Sequence, residues 1–140
     1  MSNLAELGCM PEILRIEKVL LNGVQVDCPV KHYQVDGVYV RSMFIPAGTI
    51  LTGKIHNFEN IAILAQGTIR ISNGTESYVI SAPHVMVDKP GVKRIGYAET
   101  DVTFITVHKT VNTEIEAIEK ELVSATFEEY QQQLLLGDLP

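Results

Sequence analysis

The stretch Thr68-Ile69-Arg70-Ile71-Ser72-Asn73-Gly74-Thr75-Glu76-Ser77-Tyr78-Val79-Ile80-Ser81 decides the class of fold. Before Asn73, apolar and polar residues alternate with a period of two, which a half-buried strand needs and a helix does not tolerate. After Gly74 a second run is rich in the Tyr, Val and Ile that strands prefer. Asn-Gly between two such runs predicts a hairpin closed by a type I′ turn. The same texture extends in both directions, from about residue 24 to 108. Short runs of Val, Ile, Thr and Tyr are punctuated by Gly37, Pro46-Ala47-Gly48, Gly67, Ala82-Pro83 and Pro90-Gly91. Closely spaced short strands with turn signals predict an all-β sandwich or barrel. Ile61, Ile63, Ile69 and Ile71 are its expected core.

The two ends read differently. Residues 1–10 read as a loose arm. Pro11 suits a first helical position, and 11–21 read as a short helix ended by Asn22-Gly23, although the dense aliphatics also fit a strand. Beyond the barrel, Thr113 and Glu116 have the spacing of a capping box, followed by the stripe Ile115, Ile118 and Leu122. A second box, Thr126 with Glu129, precedes Tyr130, Leu134 and Leu135, and Gly137 suits a helix stop. The expected organisation is one domain over 1–140: an N-terminal extension (1–35), a barrel (36–108) and a C-terminal helix (113–136).

Composition narrows the function. The chain has 140 residues, 46% hydrophobic and 20% charged, which is globular and not disordered. Its net charge of −6 is unsuited to non-specific nucleic-acid binding, which needs a basic surface. The longest aliphatic run, Ile61-Ala62-Ile63-Leu64-Ala65, is far short of the roughly 20 apolar residues that span a bilayer. Cys9 and Cys28 are too few for a disulfide framework and too far apart for a CxxC motif, so both are read as small apolar residues. The first ten residues lack a basic start followed by an apolar run, and the expected compartment is cytoplasmic.

One region resembles a known family. The first motif of cupins runs Gly, five residues, His-x-His, three or four residues, Glu, six residues, Gly. Gly48, Lys54, His56, Asn60 and Gly67 fall on that spacing. The second motif contains Pro-x-Gly-x-x-His. Here Pro90-Gly91-Val92-Lys93-Arg94 stands in its place, with the proline displaced by one. The resemblance covers roughly 36–108 and looks closest to small cupin-like proteins carried by bacteriophages and prophages. It implies a mostly β, double-stranded β-helix (jelly-roll) barrel. If the chain is phage-encoded, the compartment is the host cytoplasm.

The departures bear on chemistry. Lys54 and His56 stand at the first two metal-ligand positions, Asn60 at the glutamate and Arg94 at the last histidine. Three of the four are cations or a weak neutral amide, so no metal cofactor is expected. A rebuilt centre would need His56, Glu59 and His108, or His84 in place of His108. Glu59 is out of step with His56, and a regular strand would point it the other way.

What remains is a set of hydrogen-bond donors. The motif spacing turns Lys54, His56, Asn60 and Arg94 inward, and His108 joins them if the last strand presents Phe104, Thr106 and His108. Lys93 and Tyr97 are second choices. A cationic, amide-rich pocket on an acidic protein suits a small anion such as phosphate or carboxylate. The expected function is a small-molecule-binding protein without catalysis, for which sequestering a nucleotide-derived host signal is one form. Two alternatives stand beside it: a metal-dependent oxygenase or isomerase, and a structural or partner-binding phage protein. The balance is against an enzyme: no Gly-x-Ser-x-Gly, P-loop or Gly-x-Gly-x-x-Gly occurs. A homo-oligomer is expected, because cupins usually pair and because Phe127, Tyr130, Leu134, Leu135 and Leu136 look too many for one small barrel to bury.

Overall fold

The computed structural model describes the backbone of residues 4–137 and 139, and side chains from residue 12 onward. A helix, α1 (Leu4–Leu21), leads into β1 (Val30–Val35), β2 (Val38–Ile45), β3 (Ile50–Thr52), β4 (Ile55–His56), β5 (Asn60–Gln66), β6 (Thr68–Ser72), β7 (Ser77–Ser81), β8 (His84–Asp88), β9 (Ile95–Ala98) and β10 (Val102–Lys109). The chain ends in α2 (Ile115–Leu122), β11 (Val123–Ser124) and α3 (Phe127–Leu135). Two antiparallel sheets face each other. One has the order β1-β2-β10-β5-β8 and the other β3-β9-β6-β7. A two-stranded ribbon, β11-β4, closes one end. Ile45, Leu64, Ile69, Ile71, Ala98 and Val102 are the buried core between the sheets. Each lies at an every-other-residue position, so the two-residue period places them inside.

The turns take different forms from those expected. β6 and β7 pair, but Ser72 faces Ser77, which leaves residues 73–76 in the loop. No described non-glycine residue has a positive φ, so Asn73 does not enter a type I′ turn. Its Oδ1 instead accepts from the backbone N–H groups of Thr75 (2.9 Å) and Glu76 (2.8 Å). That is an Asx turn, the alternative use of the same residue. Gly67 meets its expectation for a stricter reason. Its φ is +88° and a Cβ there would lie 2.0 Å from the Asp101 carbonyl oxygen.

Several boundaries and burials are corrected. Helix α1 starts at Leu4, so 4–10 are helical and Pro11 lies within the helix, not at its first position. The barrel begins before residue 36, because β1 pairs with β2 along its whole length. The C-terminal segment is two helices, divided where Val123–Ser124 pairs with Ile55–His56. Ser124 Oγ donates to Asn57 Oδ1 at 2.6 Å, and Asn57 Nδ2 donates to the Glu121 carbonyl at 2.9 Å, which fixes the break. The Thr113 box does not form; α2 is capped at Glu114 with no side-chain bond. The Thr126 cap does, with Glu129 N–H donating to Thr126 Oγ1 at 3.1 Å.

Ile69 and Ile71 are buried as expected, but Ile61 is 38% exposed and Ile63 half-buried. On β5 it is Asn60, Ala62 and Leu64 that turn inward. A continuous aliphatic run does not reveal which of its two sets faces the core. At the C-terminus, Phe127 and Tyr130 bury themselves against Ile55 of the same chain. Leu135 and Leu136 stay exposed. The C-terminal apolar residues therefore supply little of the argument for an oligomer.

Candidate functional site

The barrel encloses a cavity of about 280 Å³. Its deep wall is apolar: Met43, Ile45, Leu51, Ile69, Ile71 and Phe104. Its polar wall carries Arg41, Lys54, His56, Asp88, Arg94, Thr106 and His108. Ile118, Glu119, Leu122 and Val123 from α2 and β11 also line it, so the C-terminal segment is part of the site.

Strand alternation builds the polar wall. On β10, Phe104, Thr106 and His108 face the cavity. On β2, Tyr39, Arg41, Met43 and Ile45 do so. The motif segment is less regular. β4 is only two residues, Asn57 turns into the C-terminal packing, and β5 restarts at Asn60. His56 lines the cavity, and Asn60 stands behind it, donating from Nδ2 to His56 Nδ1 at 3.0 Å. Asn60 Oδ1 is buried with no hydrogen-bond partner.

The two histidines form the centre. Their ring centroids are 5.6 Å apart in an edge-to-face arrangement. His108 Nε2 is 2.9 Å from Thr106 Oγ1. Burial pushes the His56 pKa down to about 4, with the Arg94 and Arg41 charges adding to the effect. His108 is likewise pushed down to about 4, first by burial and then by His56 and Arg41. Both rings are neutral at pH 7. With Asn60 donating to Nδ1, neutral His56 carries its proton on Nε2 and presents a donor elsewhere.

The cations differ in availability. Arg94 Nη1 pairs with Asp88 Oδ1 at 3.1 Å. Asp88 is buried, which raises its pKa against the opposing pull of Arg94. Lys54 is exposed at the cavity rim. Arg41, half-buried, has no carboxylate within ion-pair distance among the described residues. The sequence reading passed over Arg41, although the signal was present. In Tyr39-Val40-Arg41-Ser42-Met43 a guanidinium sits on the same face as Tyr39 and Met43.

Two second-choice residues are elsewhere. Lys93 is buried, but its Nζ pairs with Glu17 Oε2 of α1 at 2.7 Å, outside the cavity. Tyr97 is exposed on the outer face of β9 and does not line the cavity. Lys93 and Arg94 both precede β9, outside any regular strand, while Tyr97 lies within it. The alternative metal centre also fails to assemble. Glu59 points outward and pairs with Lys89 at 2.5 Å, and exposed His84 lies outside the cavity wall. Among the described residues no cluster of three His, Cys, Asp or Glu could hold a metal ion. The cavity wall also holds the carboxylates Asp88 and Glu119, but Asp88 is paired with Arg94, and two arginines and a lysine beside the histidines make surroundings that do not fit a divalent cation.

Neither a family profile nor a curated protein sequence matches the chain. Solved structures do match. A double-stranded β-helix domain protein from Klebsiella pneumoniae superposes with a TM-score of 0.54 at 11% identity, over 69% of this chain and 89% of that one. A cupin superfamily protein from Desulfitobacterium hafniense gives 0.52 at 9% identity, over 63% and 82%. An RmlC-like cupin from Methanocaldococcus jannaschii gives 0.51 at 14% identity, over 61% and 82%. No described helix is long and apolar enough to cross a membrane. Facing antiparallel sheets, a cavity between them and these neighbours together establish the cupin double-stranded β-helix fold for this chain.

Proposed function

We propose that the barrel cavity binds a small anionic molecule with an apolar body, and that the protein holds this ligand without transforming it. The observation that carries the reading is Arg41. It is a guanidinium in the polar wall of the cavity, beside two neutral histidines, with no carboxylate within ion-pair distance among the described residues. A desolvated cation gains most from a counter-anion, and a guanidinium can grip carboxylate or phosphate with two parallel bonds. Arg94 is already engaged by Asp88, so its role is to position that wall. The aliphatic deep wall favours a ligand with an apolar portion. At about 280 Å³ the cavity suits a metabolite-sized molecule. A phage setting and a nucleotide-derived ligand rest on the sequence resemblance alone.

Titration calorimetry with inorganic phosphate, hexanoate and adenosine monophosphate tests the reading. At least one probe should bind, and Arg41→Gln should weaken it tenfold or more, since hydrogen bonds to charged groups contribute about 1.5–3 kcal/mol. Lys31→Ala, exposed on β1, should leave binding unchanged. Binding unaffected by Arg41→Gln would place the anion elsewhere and overturn the assignment.

A further inference from the structure

The cavity wall changes chemistry along its length. On the paired strands β2 and β10, Ile45 lies opposite Val102 and Met43 opposite Phe104, whereas Arg41 lies opposite Thr106 and Tyr39 opposite His108. Tyr39 packs against Ile118 and Leu122, so the polar end is the one nearest α2. There α2 contributes Glu119, which lines the cavity together with Arg41 and His108. Among the described residues, neither Arg41 nor Glu119 has an oppositely charged side chain within ion-pair distance, and Lys54 at the rim is no exception. Neither side chain makes a hydrogen bond to a described residue. The Tyr39 phenol feels both charges: burial raises its pKa first, Arg41 lowers it and Glu119 raises it. Asp88, the other carboxylate of the cavity, is already held by Arg94.

A free guanidinium and a free carboxylate at one end of a cavity are a poor setting for a plain anion, because the charge that Arg41 attracts is repelled by Glu119. A ligand that carries both charges satisfies both groups and is thereby selected over one that carries either alone. We infer that the cavity takes an aliphatic α-amino acid, with its carboxylate on Arg41, its ammonium on Glu119 and its side chain among Met43, Ile45, Ile71 and Phe104. The inference rests on the anion site proposed above and narrows its ligand, since the anionic group becomes the carboxylate of a zwitterion. An α-amino acid joins its two charges and its side chain at one carbon. That arrangement matches a cavity whose free charges share one end and whose aliphatic wall forms the other. A fatty acid leaves Glu119 unmatched, and an alkylamine leaves Arg41 unmatched. A sugar would set hydroxyls against the aliphatic wall without partners, which is costly.

Titration calorimetry of the full chain at pH 7 with hexanoate and norleucine reads the outcome, because norleucine is hexanoate with an ammonium beside its carboxylate. Norleucine should bind the wild type about fivefold more tightly, the upper range for an ion pair open to water. Arg41→Gln should weaken both ligands. Glu119→Gln should remove the preference from both sides, weakening norleucine and tightening hexanoate. Glu128→Gln, exposed on α3, should change neither. If hexanoate, phosphate or adenosine monophosphate binds through Arg41 while norleucine binds no better than hexanoate, this inference falls and the anion site stands. A preference for norleucine that survives Glu119→Gln also overturns it. If no probe binds, or Arg41→Gln weakens none, the anion site falls and this inference falls with it.

Discussion

His56 and His108 meet edge to face inside the barrel, with ring centroids 5.6 Å apart and planes inclined at 73°. Both pKa values are pushed below the ordinary 6.5 to about 4. Between those values the unfolded chain binds more protons than the folded one. The stability held by the neutral rings is therefore fully present above pH 6.5 and is lost as pH falls toward 4. Each ring contributes a slope of up to about 1.4 kcal/mol per pH unit across that window. Urea unfolding at pH 7 and pH 5 should show the loss. The His56→Gln, His108→Gln double variant should lose much of the difference between the two, because it lacks both of the buried imidazoles whose pKa values are pushed down.

Lys93 and Glu17 join α1 to the barrel. The Lys93 side chain is only 4% exposed, and Thr52 Oγ1 also donates to Glu17 Oε2 at 2.5 Å. Burial would raise the Glu17 pKa, but the Lys93 and Thr52 hydrogen bonds and the Lys93 charge together hold it below the usual carboxylate value. Glu17→Ala leaves a buried ammonium without its partner, which costs about 3–5 kcal/mol in comparable sites. Because Glu17 is partly exposed, water can offset some of this, and the lower end is expected. Lys93→Met removes the charge with its partner left near solvent and should cost less. Chemical denaturation of the two variants decides the order; equal losses would contradict it.

Gly67 turns the chain between β5 and β6 where no side chain fits. Gly67→Ala would set a Cβ 2.0 Å from the Asp101 oxygen and 2.7 Å from Thr100 Oγ1, at a φ of +88°. Both the clash and the left-handed backbone oppose the change, so a loss above about 2 kcal/mol is expected. Gly37→Ala is the control. It shares the positive φ, at +82°, but its Cβ would meet nothing within 4 Å. It should lose only about 1 kcal/mol. A thermal melt that ranks Gly37→Ala as the more damaging would remove the steric account.

The barrel was legible because its signals are local. Period-two runs, and Gly67 at a turn that only glycine can make, survive any tertiary context. On β10 the more polar set, with Thr106 and His108, turns inward to the cavity. Which set faces inward was legible on β6, where Thr68, Arg70 and Ser72 mark the other face. It was not on β5, where Ile61-Ala62-Ile63-Leu64 offers no polar contrast. The motif spacing located His56 and Arg94 in the cavity wall and Asn60 just behind it. It could not foresee Arg41, which reaches the cavity from a strand outside the motif. Nor could it foresee that Lys93 would find Glu17 of a helix read only as part of an N-terminal extension.

The final prediction concerns metal. The positions that cupin motifs devote to metal hold Lys54, Asn60 and Arg94, and only His56 remains of the four. The His56 Nδ1 lone pair is engaged by Asn60, and Glu59 pairs outward with Lys89. Protein purified without added metal should carry well under one equivalent of zinc, iron, nickel or manganese by mass spectrometry. Stoichiometric metal lost on His56→Ala would revive the enzyme reading. The converse experiment is sharper. Lys54→His, Asn60→Glu and Arg94→His together restore the ligand types at the motif spacing and remove two cations. Arg94→His also frees Asp88, a carboxylate in the same wall. If substitution at these positions is what disfavours a metal, the triple variant should bind zinc at least a hundredfold more tightly than the wild type. That change is about 2.7 kcal/mol, modest beside the affinity of an intact three-ligand site. Equal zinc affinity in the two proteins would show that the barrel's geometry, not its ligand chemistry, sets the preference.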